Sequence, residues 1–252
     1  RVTMMRARSL GMTLVGVAII GLAGCSASAG STGVVQDDAV ASPQATSSES
    51  SPGTDGGLGA AVPGASCADG GTCQVGDTGP GGGTVFYDAG SSQSWGQYLE
   101  AAPAGWSEQA QDPEVVWCAK DQPGYKIQLQ TSTGSGSGRA NTAAIIGVCG
   151  NQSAAGAAAA YTGGGLSDWF LPSKDELAQL WTQVHNQPGV VGGLATADTS
   201  MDRYWSSSQG SDSKVSVWYQ VFFLENAALQ AGGQQRQTNK NNEYLMRPIR
   251  AF

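Results

Sequence analysis

Histidine occurs once in the 252 residues, at His185, and no cysteine follows Cys149. A lone histidine cannot form the His-Glu-x-x-His pair of a zinc protease, and no Gly-x-Ser-x-Gly elbow offers a serine nucleophile. No Cys-x-x-Cys pair occurs, which argues against a zinc ribbon. Basic side chains are also scarce, 13 Lys and Arg against 20 Asp and Glu, so nucleic-acid binding as a general function is disfavoured. Residues 26–66 hold no aromatic, no Lys and no Arg. Such a stretch cannot bury enough apolar surface to offset its ordering entropy. It reads as a flexible tether, with an end-to-end reach of roughly 35 Å at Gly/Ser-like stiffness. The expected organisation is therefore a leader over 1–25, a linker over 26–73 and one folded domain over 74–252.

The leader has its own logic. Arg1, Arg6 and Arg8 precede an uncharged apolar run from Leu10 to Leu22, too short to span a bilayer. The run ends in Leu22-Ala23-Gly24-Cys25, the pattern of a bacterial lipobox. Cys25 is the expected lipidation position, which predicts a lipid-anchored protein of the cell envelope facing outward. The partner on that side is the membrane, through the anchor. Removing the leader takes away three arginines and leaves 10 basic against 20 acidic residues, a net charge of −10.

Cys67, Cys73, Cys118 and Cys149 then remain, and an even number in an exported chain favours disulfides. Three pairings are possible. The favoured set is Cys67–Cys73 as a tight local loop and Cys118–Cys149 as the domain staple. Hydropathy patterning predicts an α+β domain. Strands are expected over 82–90, 96–103, 203–209, 215–227 and 243–252, and one or two Ala-rich helices over 140–161, interrupted near Gly150. In 215–227, Val215, Val217, Tyr219, Val221 and Phe223 alternate on one face. The polar run 230–242 reads as the loop joining the last two strands.

The densest stretch is Ser167 to Trp181, "SDWFLPSKDELAQLW". Ser173 stands three residues before Glu176, the spacing of a capping box, and Leu177, Leu180, Trp181 and Val184 form one helical stripe. Asp175 and Glu176 suit the first turn, where the helix dipole favours negative charge. Asp168 reads as a turn cap and His185 as a structural residue on the helix flank. The "GSGSGR" run at 134–139 lacks the Gly-Lys-Ser/Thr ending of a P-loop and reads as a flexible turn.

With its flanks, "GGGLSDWFLPSKDEL" resembles the signature of the C-terminal domain family of bacterial collagen-like adhesins, the Lcl type. "VGDTGPGGGTVFYDAG", "YLEAAP", "GSGRANTAAII", "YWSSSQ", "WYQVFF" and "NKNNEYLMRPIRAF" agree with it in order, so the resemblance spans nearly all of 74–252. It implies a C-type-lectin-like fold, with a pair of helices, a small antiparallel sheet and neighbouring termini. It also implies a surface-displayed binding domain, since glycosaminoglycan or host-matrix binding is described for the adhesin members. This chain departs from them in lacking a Gly-X-Y collagen run. From residue 74 onward it is also acidic, with 10 basic against 15 acidic residues. The calcium-ligand triplets of true C-type lectins are absent, and so is the C-terminal cysteine pair of the related formylglycine-generating enzymes. Neither a metal, nor a cofactor, nor catalysis is expected.

One basic stretch interrupts the acidic domain. Arg236, Lys240, Arg247 and Arg250 face only Glu243 between 236 and 250. Amides lie among them and aromatic rings nearby, the groups that match sugar hydroxyls, ring faces and anions. The expected ligand-binding residues are Trp218, Tyr219, Arg236, Asn239, Lys240, Asn241 and Asn242. Arg247 and Arg250 flank Pro248 and are expected to pair with carboxylates inside the domain. The expected function is adhesin-like recognition of a glycan or matrix polysaccharide. The alternative is a structural envelope lipoprotein that contacts peptidoglycan or protein partners.

Overall fold

In the computed structural model, residues 66–196, 202–223 and 232–252 are described. They all fall within one unit, Gly56–Phe252. Cys25, the expected lipidation position, and the expected linker up to residue 65 lie outside the described residues. No helix among the described residues is long and apolar enough to cross a membrane.

The domain combines helices with two sheets, as the alternating and 3.6-residue patterns predict. The first sheet runs β1 (Thr84–Gln93), β2 (Gly96–Ala101) and β8 (Ile249–Ala251), all antiparallel. The second is five-stranded, in the order β3 (Glu114–Val116), β7 (Glu243–Leu245), β4 (Arg203–Gln209), β5 (Ser216–Val221) and β6 (Gln235–Asn239). Three α-helices complete the domain: α1 (Gly138–Cys149), α2 (Ala154–Ala160) and α3 (Lys174–Asn186).

The expected strand over 243–252 is two strands in two different sheets. Pro248 has no N–H to continue a ladder, and the chain changes sheets there. The expected loop over 230–242 contains β6, which pairs with β5 from Ser216↔Asn239 to Gln220↔Gln235. A polar strand is stable there because it lies at the sheet edge, with one side open to water. Short β3 escaped the pattern altogether. The strand expected over 215–227 ends at Val221, and positions 224–227 lie outside the described residues.

Two cores flank the five-stranded sheet. On one face Trp117, Trp205, Val217 and Met246 pack against Ile145 of α1 and the alanines of α2. On the other, Tyr204 and Phe222 pack with Leu177, Leu180 and Val184 of α3, continuous with Phe86 and Leu99 of the first sheet. Val217, Tyr219, Val221 and Phe223 lie in the first core with Val215 against it, while Phe222 lies in the second, which bears out the expected alternation.

Both expected disulfides are present, Cys67–Cys73 and Cys118–Cys149. The second joins the end of α1 to the segment after β3. In the chain-entropy account, closing a loop of that length stabilises the fold by about 3–4 kcal/mol. Cys67 and Cys73 pack on Val85, with Tyr98 and Phe252 against them. Residues 66–73 are thus packed on the domain rather than belonging to the linker; the disulfide supplies order that their composition does not suggest. The first described residues and the C-terminus are consequently neighbours.

Candidate functional site

The structure divides the expected binding patch. Trp218 stands opposite Gln237, and Tyr219 opposite Arg236. Successive strand residues point to opposite faces, so Trp218 and Arg236 cannot share one site. Trp218 is half-buried beneath the Lys174 ammonium, 4.8 Å from its ring centroid. Tyr219 is buried in the core, edge-on to Tyr244. Asn239 and Asn241 are occupied, their Oδ1 atoms accepting the Tyr125 hydroxyl at 2.8 and 3.1 Å. The Asn242 amide donates to Thr238 Oγ1 at 2.6 Å.

Lys240 needs the clearest correction, because it is fully buried. Its Nζ donates to the carbonyls of Gly124 and Ile127, both at 2.9 Å, and lies 5.0 Å from the Trp117 ring centre. Burial lowers its pKa to about 8. It therefore ties the 123–127 turn to the sheet and offers no cation to a ligand. Of the seven expected ligand residues, Arg236 alone is exposed, and its guanidinium is engaged by Gln234.

The other two arginines are internal, as expected. Arg247 Nε meets Asp112 Oδ1 at 2.8 Å, with both side chains about 1% exposed. Asp112 also accepts the Trp106 indole N–H and the Tyr204 hydroxyl, both at 2.7 Å. Burial and the Asp112 charge hold the Tyr204 hydroxyl well above its ordinary pKa. Arg250 bridges Glu100 at 3.0 Å and Asp168 at 2.6 Å. Fully buried Glu100 also accepts the N–H groups of Gly81 and Gly83. Asp168 is thus no turn cap. It is the link between Arg250 and Arg139, whose NH2 lies 3.1 Å from Asp168 Oδ2. Its second arginine comes from a helix 29 residues away, which local spacing does not reveal.

The capping box forms as expected: Ser173 Oγ accepts the Glu176 N–H, and Glu176 accepts the Ser173 N–H at 2.6 Å. Glu176 has a second task. Its other oxygen accepts the Gly136 N–H at 2.7 Å, so one buried carboxylate fastens the turn before α1 to the start of α3. Burial raises its pKa above the ordinary 4.5, while the N–H groups of Ser173, Gly136 and Gly138 oppose that shift. Two of the three glycines of "GSGSGR" are there for close approach. Gly136 (φ +87) lies against the Trp95 indole, and Gly138 against Phe170 and Glu176, with no room for a Cβ in either place. This turn is packed rather than flexible. The anion position at the start of α1 is filled by the protein's own Glu176, which closes it to a phosphate.

Above this turn lies a cleft of about 440 Å³. Ser94 and Trp95 of the β1–β2 hairpin form one wall. Gly136, Arg139, Ala140 and Ala143 form the opposite one, with Phe170 and Ala251 at the base. Phe170 is locked in place by its two backbone hydrogen bonds to Ile249, each 2.9 Å, and the Arg139 guanidinium lies 5.6 Å from its ring centre. Arg139 and Asp168 remain 54% and 34% exposed, so a ligand can reach both. The cleft thus joins the half-buried Trp95 ring to Arg139, whose charge is balanced by Asp168 beside the cleft. That combination fits a polyhydroxylated, uncharged ligand: C–H faces on the Trp95 ring, hydroxyls on the ion pair. Trp95 and Arg139 were not among the expected site residues. Their one sequence signal is the glycine spacing at 134–138, which marks close approach of a neighbour but not its identity.

His185 lies elsewhere, stacked on Trp181 at 4.7 Å, and does not join Asp168 or Glu176 in a catalytic group. Among the described residues no three His, Cys, Asp or Glu side chains gather as a metal-holding group. In comparison with known proteins, the chain matches no family model and no curated protein.

Proposed function

We propose that this chain is a non-enzymatic carbohydrate-binding domain of C-type-lectin-like fold, displayed outward from the cell envelope on the tether that follows a lipidated Cys25. The observation that carries the binding reading is the Trp95–Phe170–Arg139 cleft. It supplies the half-buried Trp95 ring beside an accessible arginine–carboxylate pair, over a base formed by buried Phe170. The acidic balance of the domain and the compensation of Arg139 by Asp168 favour neutral glycans over sulfated ones. The fold reading is supported by two helices packed on small, largely antiparallel sheets and by the contact of Phe252 with the Cys67–Cys73 loop.

The test is a glycan array probed with the full protein, its Arg139→Ala and Trp95→Ala variants, and Arg236→Ala as a control. Retention of neutral glycans by wild type and Arg236→Ala, and their loss by the other two, is the expected pattern. Retention of sulfated glycans alone, or equal retention by all four proteins, would reject the cleft.

A further inference from the structure

A second concavity, about 410 Å³, lies between the turn after β2 and the end of α2. Trp106, Ser107 and Glu108 line one side, and Tyr161, Thr162 and Gly163 the other. The Trp106 and Tyr161 rings are 5.5 Å apart and inclined at 75°, so they form a corner rather than a stack. Tyr161 is braced from behind by Trp169, edge-on at 4.8 Å. The Trp106 indole N–H is anchored on buried Asp112, which fixes the orientation of that ring.

Two side chains of this groove make no hydrogen bond or ion pair among the described residues. Glu108 is the one described non-glycine residue at positive φ, +63. The chain uses 37 glycines, and a glycine would take this turn without strain. A glutamate stands there instead. Its exposed carboxylate has no hydrogen-bond or ion-pair partner among the described residues. The second is Ser107, its hydroxyl buried and likewise without a hydrogen-bond partner. Strained backbone and orphaned polar groups persist where something other than folding requires them.

We propose that this groove is a second sugar subsite, which takes the ammonium group of a de-N-acetylated hexosamine. An ammonium beside an unpaired carboxylate and two inclined ring faces gains both charge pairing and cation–π attraction. The exposed Thr162 hydroxyl matches a hydroxyl of a sugar ring, which a lysine side chain lacks. The acidic balance of the domain attracts cations in general. This subsite rests on the reading that the domain binds sugars, but not on the Trp95 cleft.

The experiment titrates the full chain with glucosamine and with N-acetylglucosamine, following affinity and the backbone amide resonances of 106–108 and 161–163. Glucosamine is expected to shift both segments, and N-acetylglucosamine neither. Glu108→Gln should weaken glucosamine about tenfold, the loss of one charge-assisted contact. Glu108→Gly, which keeps the turn geometry, should do the same. Unshifted resonances, or unaltered affinity in both Glu108 variants, would overturn the subsite. Binding of lysine methyl ester as tight as that of glucosamine would overturn its assignment to a sugar. Should glucosamine fail here while neutral glycans still move residues 94–95 and 136–143, this subsite falls and the Trp95 cleft stands.

Discussion

Trp95 rests on the backbone of Gly136 so closely that a Cβ on the glycine would fall inside the indole ring's van der Waals surface. That contact joins the hairpin wall of the cleft to the helix wall. Gly136→Ala would have to displace the ring and would also place a side chain at φ +87. The left-handed backbone alone costs about 1–2 kcal/mol. The expected result is a loss of at least that size in urea unfolding, together with loss of glycan retention. An alanine variant with unchanged stability would show that the contact is not tight.

Asp112 and Arg247 test the internal ion pair. Asp112→Ala leaves a buried guanidinium without its counter-charge and should destabilise the domain by about 3–5 kcal/mol. The double variant Asp112→Leu/Arg247→Met removes both charges and should recover much of that loss. Chemical denaturation of the two variants measures the difference. Equal stabilities would mean that the pair is not buried as described.

Lys240 gives a prediction in pH. Its folded pKa of about 8 lies below the ordinary 10.5, so between these values the unfolded chain binds more protons than the folded one. Stability contributed by this group is therefore present above pH 10.5 and lost as pH falls through 8. Wild type should accordingly gain stability relative to Lys240→Met as pH rises through that window. Parallel pH profiles for the two proteins would contradict the burial. Acylation of the native protein offers a second check, with Lys240 expected to react more slowly than exposed Lys214.

What could be read from the sequence was local or periodic. Ser173 and Glu176 lie three residues apart, and their capping box is a matter of helix geometry alone. The alternation through Val217, Tyr219 and Val221 likewise needs no partner to be seen. Lys240 escaped because its surroundings, Gly124, Ile127 and Trp117, come from more than a hundred residues earlier. A lysine in a run of Gln and Asn looks solvated until the chain is folded. The same period-two rule that revealed β5 also forbids Trp218 and Tyr219 from facing one ligand, a constraint that overrides their nearness in sequence. The cleft is assembled from a hairpin tip, a helix start, Phe170 and the C-terminal strand. Nothing in any one of those four segments signals that they meet.

The most direct test is an amide-resonance titration of the full chain with a neutral glycan selected on the array, repeated on Trp95→Ala. The wild-type protein should show shifts concentrated at residues 94–95 and 136–143, and Trp95→Ala should bind about tenfold more weakly, near the contribution of one aromatic contact. Shifts concentrated instead along 216–218 and 235–242, with full affinity in the Trp95 variant, would return the binding surface to the sheet edge and contradict the account.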